Sequence, residues 1–184
     1  MPTDLPPGNP YAPPDSLSKP LADNDHTPPF VAISTTRLAA LCFCTLGFYQ
    51  IVWLYRQWRR IKEREHLNIY PMARALFGIF FCHALFRKMV AAGEQAGISP
   101  SPAAAQLATG WILLSLAGRL PDPYWLVGLG SFACLLPMQA YVNQINAKQC
   151  PDHERNDRFD GGDWAICGIG GVLLLMGVIG AFSP

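Results

Sequence analysis

The stretch that decides the fold class is Leu38-Ala-Ala-Leu-Cys-Phe-Cys-Thr-Leu-Gly-Phe-Tyr-Gln-Ile-Val-Trp-Leu-Tyr55, followed directly by Arg56-Gln-Trp-Arg-Arg-Ile-Lys-Glu-Arg64. The first part has about 18 uncharged residues, close to the roughly 20 that a helix needs to cross the hydrocarbon of a bilayer. The second part carries five positive charges and one negative charge. An apolar helix with a basic flank is typical of a membrane-spanning helix whose basic end faces the cytoplasm.

Aromatic side chains mark the boundary between the apolar and the basic part. Trp53, Tyr55 and Trp58 lie there, and Trp164 opens the last apolar block of the chain. Tryptophan and tyrosine are enriched where a membrane helix meets the headgroups. We therefore interpret these four residues as interfacial anchors.

The composition of the chain agrees with a membrane protein. Only 15% of the 184 residues are charged, against roughly 25% in an ordinary soluble domain. The net charge of +1 gives no reason to expect nucleic acid as a partner. The six cysteines form no Cys-x-x-Cys pair, so we interpret them as small buried hydrophobic residues.

Two regions are predicted from this patterning. Residues 1–30 contain nine prolines and four aspartates, so we expect a disordered proline-rich tail. Residues 31–184 are expected to form an all-α, polytopic helical membrane domain.

The domain is predicted to contain four transmembrane helices and one amphipathic helix that is interfacial or re-entrant. The spans are expected at about 36–57, 103–119, 124–146 and 164–182, with a kink at Pro137 in the third. The interfacial helix is expected at about 72–92. Its segment free of Arg and Lys, 75–86, is short for a full span.

The distribution of Lys and Arg favours four spans over five. Five crossings with the N-terminus outside place seven of these residues on each side of the membrane. Four crossings place eleven inside and three outside (Lys19, Arg37 and Arg119), which the positive-inside rule prefers. We therefore predict that both termini are periplasmic, with an inverted arrangement as the alternative. This topology requires a tail of about 30 residues to be translocated.

Several segments resemble a family of small bacterial inner-membrane proteins that carry only an uncharacterised-domain label. The most specific is Thr45-Leu-Gly-Phe-Tyr49 followed by Trp53-Leu-Tyr55 and Trp58, and Asn9-Pro-Tyr-Ala-Pro-Pro14 is similar to a tag near the N-termini of such proteins. Ile61-Lys-Glu-Arg-Glu65 and the segment 74–89 resemble the family as well. The resemblance implies a multi-pass protein integral to the bacterial inner membrane, and it implies no activity or cofactor.

No pattern in the chain predicts catalysis. There is no nucleophile-and-histidine pattern and no glycine-rich phosphate loop followed by lysine. The loop Asp152-His-Glu154 with Asp157, Asp160 and Asp163 contains metal-ligand types, but arginines are interleaved and the spacing is not that of a calcium loop. We interpret it as a solvated loop with a helix cap at Asp163, and we predict no cofactor, no metal and no enzymatic activity.

The function that we expect is binding of a lipid or a partner protein through a basic cytoplasmic surface. The predicted surface consists of Arg56, Arg59, Arg60, Lys62, Arg64, Arg74, Arg87 and Lys88. The expected partners are membrane lipids, anionic ones among them, and a second copy of the chain or another membrane protein. The alternative is a small oligomeric transporter or channel, in which Gln50 would line a path instead of bonding to another helix.

Overall fold

The computed structural model describes residues 27–99, 103–153 and 156–182, and the regular structure in these ranges is entirely helical. The all-α class is therefore confirmed. The helices, in chain order, are α1 Thr35–Cys44, α2 Phe48–Glu65, α3 Pro71–Leu76, α4 Gly78–Gln95, α5 Ala104–Ala117, a 3₁₀ helix Tyr124–Cys134, α6 Leu135–Gln149 and α7 Gly161–Phe182.

The predicted first span, 36–57, is a helical hairpin and not one continuous helix. Helix α1 ends at Cys44 and α2 begins at Phe48. The backbone N–H of Val31 donates to Oε1 of Gln57 at 3.2 Å. A continuous helix from 35 to 57 would be about 33 Å long and would hold these two groups far apart. The chain therefore reverses direction between α1 and α2.

The reversal is made by a glycine that ends α1. Leu46 and Gly47 have φ angles of 53° and 89°, and the Gly47 N–H donates to the Cys42 carbonyl at 2.8 Å. A left-handed residue that closes the last helical carbonyls is a common helix end, and glycine adopts that conformation without steric cost. The prediction of an unbroken span is therefore wrong. The residues on both sides of Gly47 are apolar, so the sequence alone does not indicate that a helix ends there.

The other predicted helices are present with changed bounds. The interfacial helix 72–92 is divided at Phe77 into α3 and α4, and the span 103–119 is α5. The span 124–146 consists of the 3₁₀ helix and α6, and the change between them comes just before Pro137. Of the predicted tail, residues 1–26 lie outside the described residues, whereas Phe30 is buried and belongs to the folded domain.

Three turns of the chain meet around one cavity of about 360 Å³, which defines the tip end of the bundle. Its lining includes Gly47 from the first turn, Gly78 from the α3–α4 junction, and Gly118 and Arg119 from the turn after α5. The α1–α2 and α5–3₁₀ hairpins therefore point in the same direction.

The opposite end of the bundle, the loop end, gathers the N-terminal segment and the polar connections. The Arg64 guanidinium lies 4.8 Å from the centre of the Phe30 ring, and Nζ of Lys88 is 2.5 Å from Oε2 of Glu65. The Lys148 ammonium donates to the Gly97 carbonyl at 3.0 Å. Phe30 thus lies beside the C-terminal ends of α2 and α6.

Helix α7 runs parallel to α1, from the loop end past the tip end. Nη2 of Arg37 is 2.5 Å from Oδ2 of Asp163, and a Cβ on Gly177 would lie 3.5 Å from the Trp125 ring. These two levels of α7 are about 21 Å apart along the helix. The four-span topology requires Arg37 and Asp163 on opposite faces of a hydrocarbon layer about 30 Å thick. Their direct contact shows that this part of the predicted topology is wrong.

Two helical stretches in the described residues are long and apolar enough to cross a membrane. They are Tyr124–Gln149, which joins the 3₁₀ helix to α6, and Gly161–Ala181 in α7. Helices α1 and α5 are apolar but shorter.

Candidate functional site

Charged and exposed apolar side chains are separated along the axis of the bundle. The chain has 14 Lys and Arg residues, and all of them except Lys19 and Arg155 are among the described residues. Of those twelve, Arg119 alone lies at the tip end. Large apolar side chains are instead exposed around the tip end and along α7, including Phe43, Phe48, Leu76, Phe77, Phe80, Leu113, Leu116, Tyr124, Val127, Ile169, Val172, Leu175, Met176 and Ile179.

The outward stripe of α2 shows the same separation within one helix. Phe48, Val52, Arg56, Arg59 and Glu63 follow one another at intervals of three or four residues, so they share one face. All five are exposed, with Phe48 at 71%. The stripe changes from apolar to charged at Arg56.

An open cavity of about 630 Å³ lies against the charged part of this stripe, and we call it the arginine cavity. Its lining on α2 is Arg56, Arg59, Arg60 and Glu63. The other walls come from the N-terminal segment and the loop before α7, through Pro28, Val31, Ala32, His153 and Asn156. The three arginines and one glutamate on α2 sum to a charge of +2.

Two arginines of the cavity, Arg56 and Arg59, make contacts that are exposed. Nη1 of Arg56 donates to the Tyr49 hydroxyl at 3.3 Å, with the guanidinium 6.0 Å from the ring centre. Nε of Arg59 pairs with Oε1 of Glu63 at 2.9 Å, and both side chains are more than half exposed. Such surface pairs contribute about 0–1 kcal/mol, so the guanidinium groups remain available to a stronger anion.

Side-chain amides hold the segment that forms one wall of the cavity. The Asn146 amide accepts from the Phe30 N–H at 3.2 Å and donates to the Phe30 carbonyl at 3.1 Å. Gln57 accepts from the Val31 N–H, and Nε2 of Gln139 donates to the Val31 carbonyl at 3.0 Å. These bonds fix the backbone of residues 30–31 against α2 and α6.

Three other basic residues of the predicted surface make contacts between elements of the bundle. Arg74 stacks on the rings of Trp58 and Phe81 at 4.5 and 5.2 Å. Arg64 and Lys88 both bind the Glu65 carboxylate. Burial raises the pKa of Glu65, but hydrogen bonds from Lys88 and Arg64 outweigh it and hold that pKa below its usual value. Arg64, Arg74 and Lys88 therefore join α2 to its neighbours, whereas Arg87 is exposed and Lys62 half-buried.

Two of the four predicted anchors are part of the core. Trp53 and Trp58 are 1% and 0% exposed, and Nε1 of Trp53 donates to Oε1 of Gln139 at 2.6 Å. A side chain with no exposed surface cannot reach the headgroups, so the prediction for these two residues is wrong. Tyr55 is half-buried, and Trp164 is 67% exposed.

A buried ion pair joins α1 to α7, and the sequence alone does not predict it. Arg37 and Asp163 are each 6% exposed, and Nη1 of Arg37 also donates to the carbonyl and side-chain oxygens of Asn156 at 3.1 and 2.5 Å. Asp160 accepts from the Asp163 N–H while Asp163 accepts from the Asp160 N–H. This reciprocal arrangement makes Asp160 the N-cap, in place of the predicted Asp163.

In the described part of this loop and elsewhere in the described chain, no three His, Cys, Asp or Glu residues are grouped to hold a metal.

A ladder of amides in the core is the second feature that the sequence did not reveal. Gln50 donates to the Ser131 hydroxyl at 2.9 Å and accepts from Nε1 of Trp111 at 2.6 Å. Gln57 donates to Gln139 at 3.3 Å. Gln50 thus bonds to other helices, as one of the two interpretations of this residue expected. The amide ladder could have been predicted from the spacing of Gln139, Asn143 and Asn146, which places three amides on one face of a helix.

Comparison of the chain with protein-family models, curated proteins and solved structures finds no match. The resemblance to small bacterial inner-membrane proteins therefore stays a prediction.

Proposed function

We propose that the chain is an integral membrane protein that inserts with its tip end first and binds an anionic leaflet through its basic loop end. The observation that supports this most is the axial separation of eleven described Lys and Arg residues from the exposed apolar side chains. In water those apolar side chains would remain hydrated, whereas in a bilayer they face the hydrocarbon.

The orientation follows from where the N-terminal segment lies. Phe30 contacts Arg64, so the start of the folded domain is at the basic loop end. The hairpins that turn at Gly47 and Gly118 both begin and end at the loop end. Among the described helices, α7 alone crosses the membrane without returning. The N-terminus is then cytoplasmic and the C-terminus is on the opposite side. Arg119, at the tip end, is the one described cation away from the loop end. This arrangement satisfies the positive-inside rule better than four spans do, and it needs no translocation of the tail.

The role that we propose is binding and not catalysis. Each positive charge near an anionic leaflet contributes about 1 kcal/mol of attraction. The basic residues of the predicted surface that do not join α2 to its neighbours are Arg56, Arg59, Arg60, Lys62 and Arg87. A bacterial inner membrane is the location that this orientation and the sequence resemblance support.

Anionic lipid is expected to stabilise the purified protein, because a ligand that binds only the folded state raises its free energy of unfolding. Adding phosphatidylglycerol to the protein in a neutral detergent should raise the midpoint of thermal unfolding by about 5–10 °C. The shift should shrink as salt screens the charges. Equal shifts with phosphatidylglycerol and phosphatidylcholine at the same mole fraction, independent of salt, would contradict the proposal.

A further inference from the structure

We propose that the arginine cavity is a discrete site for one anionic phospholipid, with the phosphate on Arg56, Arg59 and Arg60 and an acyl chain along Phe48 and Val52. The inference rests on the proposed tip-first insertion. It adds a defined stoichiometry and defined residues to a general attraction between a basic surface and a membrane.

The charges of the cavity suit a phosphate. Arg56, Arg59 and Arg60 lie within two turns of α2, and each guanidinium presents several N–H groups in a planar fork that matches phosphate oxygens. Glu63 neutralises part of this charge through Arg59. Among the described residues Arg60 has no carboxylate within ion-pair distance. A phosphate therefore completes the site without displacing a buried contact.

The level of the cavity in the membrane distinguishes a lipid headgroup from a free anion. Phe48 lies about 12 Å from Arg56 along α2 on the same face, in the direction of the tip end. A phospholipid with its phosphate at Arg56 therefore places its chains against Phe48 and Val52, which are exposed in the bundle. A free phosphate would leave both apolar side chains without a partner.

The walls of the cavity make it a site and not a flat basic patch. Val31 and Ala32 line the cavity together with the arginines, and the Val31 backbone is fixed on both of its polar groups by Gln57 and Gln139. His153 and Asn156 line it from the loop before α7. A volume of about 630 Å³ falls in the range of small-molecule sites, which is roughly 300–1,000 Å³, and has room for a glycerophosphate headgroup.

The test is to count lipids bound to the full-length protein by native mass spectrometry during titration with phosphatidylglycerol. The wild type should retain one lipid that is more resistant to removal than the rest. The triple variant Arg56→Gln, Arg59→Gln, Arg60→Gln should weaken this binding by roughly a hundredfold, since three near-surface charges are lost. The control variant Lys62→Gln, Arg87→Gln, Arg158→Gln loses the same charge outside the cavity and should retain the tight lipid.

The outcomes separate this inference from the proposed function. Equal weakening in both triple variants would overturn the discrete site and leave general attraction to an anionic leaflet intact. No weakening in either would overturn both. Competition by sn-glycerol 3-phosphate at the affinity of the lipid would assign the cavity to a free phosphate and overturn the role of Phe48 and Val52. Thermal unfolding of each variant without lipid verifies that it is folded.

Discussion

Asp163→Asn is expected to destabilise the protein by about 3–5 kcal/mol, because it removes the charge that faces a buried guanidinium. The side chains of Arg37 and Asp163 are 8% and 9% exposed. Nε of Arg37 has no hydrogen-bond partner among the described residues. Nη1 donates to uncharged oxygens of Asn156, so Asp163 is the one buried carboxylate that faces the guanidinium among the described residues. Reversible unfolding in mixed detergent micelles measures the change in the free energy of unfolding.

Asp160→Asn is the matched control for this variant. Asp160 also approaches Arg37, at 3.5 Å, but its side chain is 70% exposed. Asparagine retains the oxygen that caps α7, so the loss should stay below about 1 kcal/mol. Equal effects of the two substitutions would show that α1 and α7 are not joined by the buried pair.

Gln139→Leu is the second substitution with a large expected effect, of about 3 kcal/mol or more. The Gln139 amide accepts from Trp53 and Gln57 at 2.6 and 3.3 Å and donates to Asn143 and the Val31 carbonyl at 2.8 and 3.0 Å. Leucine leaves these groups without that partner, and each buried polar group that stays unsatisfied costs about 1–3 kcal/mol. The same unfolding experiment measures the loss.

Gln144→Leu provides the control, since Gln144 lies on the same helix but is exposed. Its effect should be within about 0.5 kcal/mol, as for most surface substitutions. Release of the Val31 backbone in Gln139→Leu should also increase proteolysis next to residue 31, which Gln144→Leu should not do. Stability of both variants equal to that of the wild type would show that the amide ladder contributes little.

The helical class and the concentration of positive charge could be predicted because both are local properties of the chain. An apolar block followed by arginines needs no tertiary contact to be recognised. The reversal at Gly47 could not be predicted with the same ease, because Leu46 and Phe48 suit an unbroken helix equally well. Arg37 and Asp163 lie near opposite ends of the folded domain's sequence, and no pattern of spacing links them.

The candidate site could be predicted in part. Arg56, Arg59 and Arg60 were identified from charge alone, and the structure places them around one cavity. Charge alone does not tell which basic residues are used in packing, so it predicts Arg64, Arg74 and Lys88 as part of the same surface. The residue type of Trp53 and Trp58 predicts an interfacial position. Their helical spacing with Gln50, Gln57 and Ile61 matches the buried face of α2 instead.

The side of the membrane on which residue 27 lies tests the orientation most directly. Thr27 is exposed at the loop end, and Thr27→Cys in a variant that lacks the six native cysteines provides one reactive thiol. Gln149→Cys in the same background is the control, because position 149 is cytoplasmic in both topologies. With a membrane-impermeant maleimide, the tip-first orientation predicts that both introduced thiols react in inside-out vesicles and that neither reacts in intact cells. Reaction of the thiol at position 27 in intact cells, with the thiol at position 149 still protected, would contradict the orientation proposed for this protein.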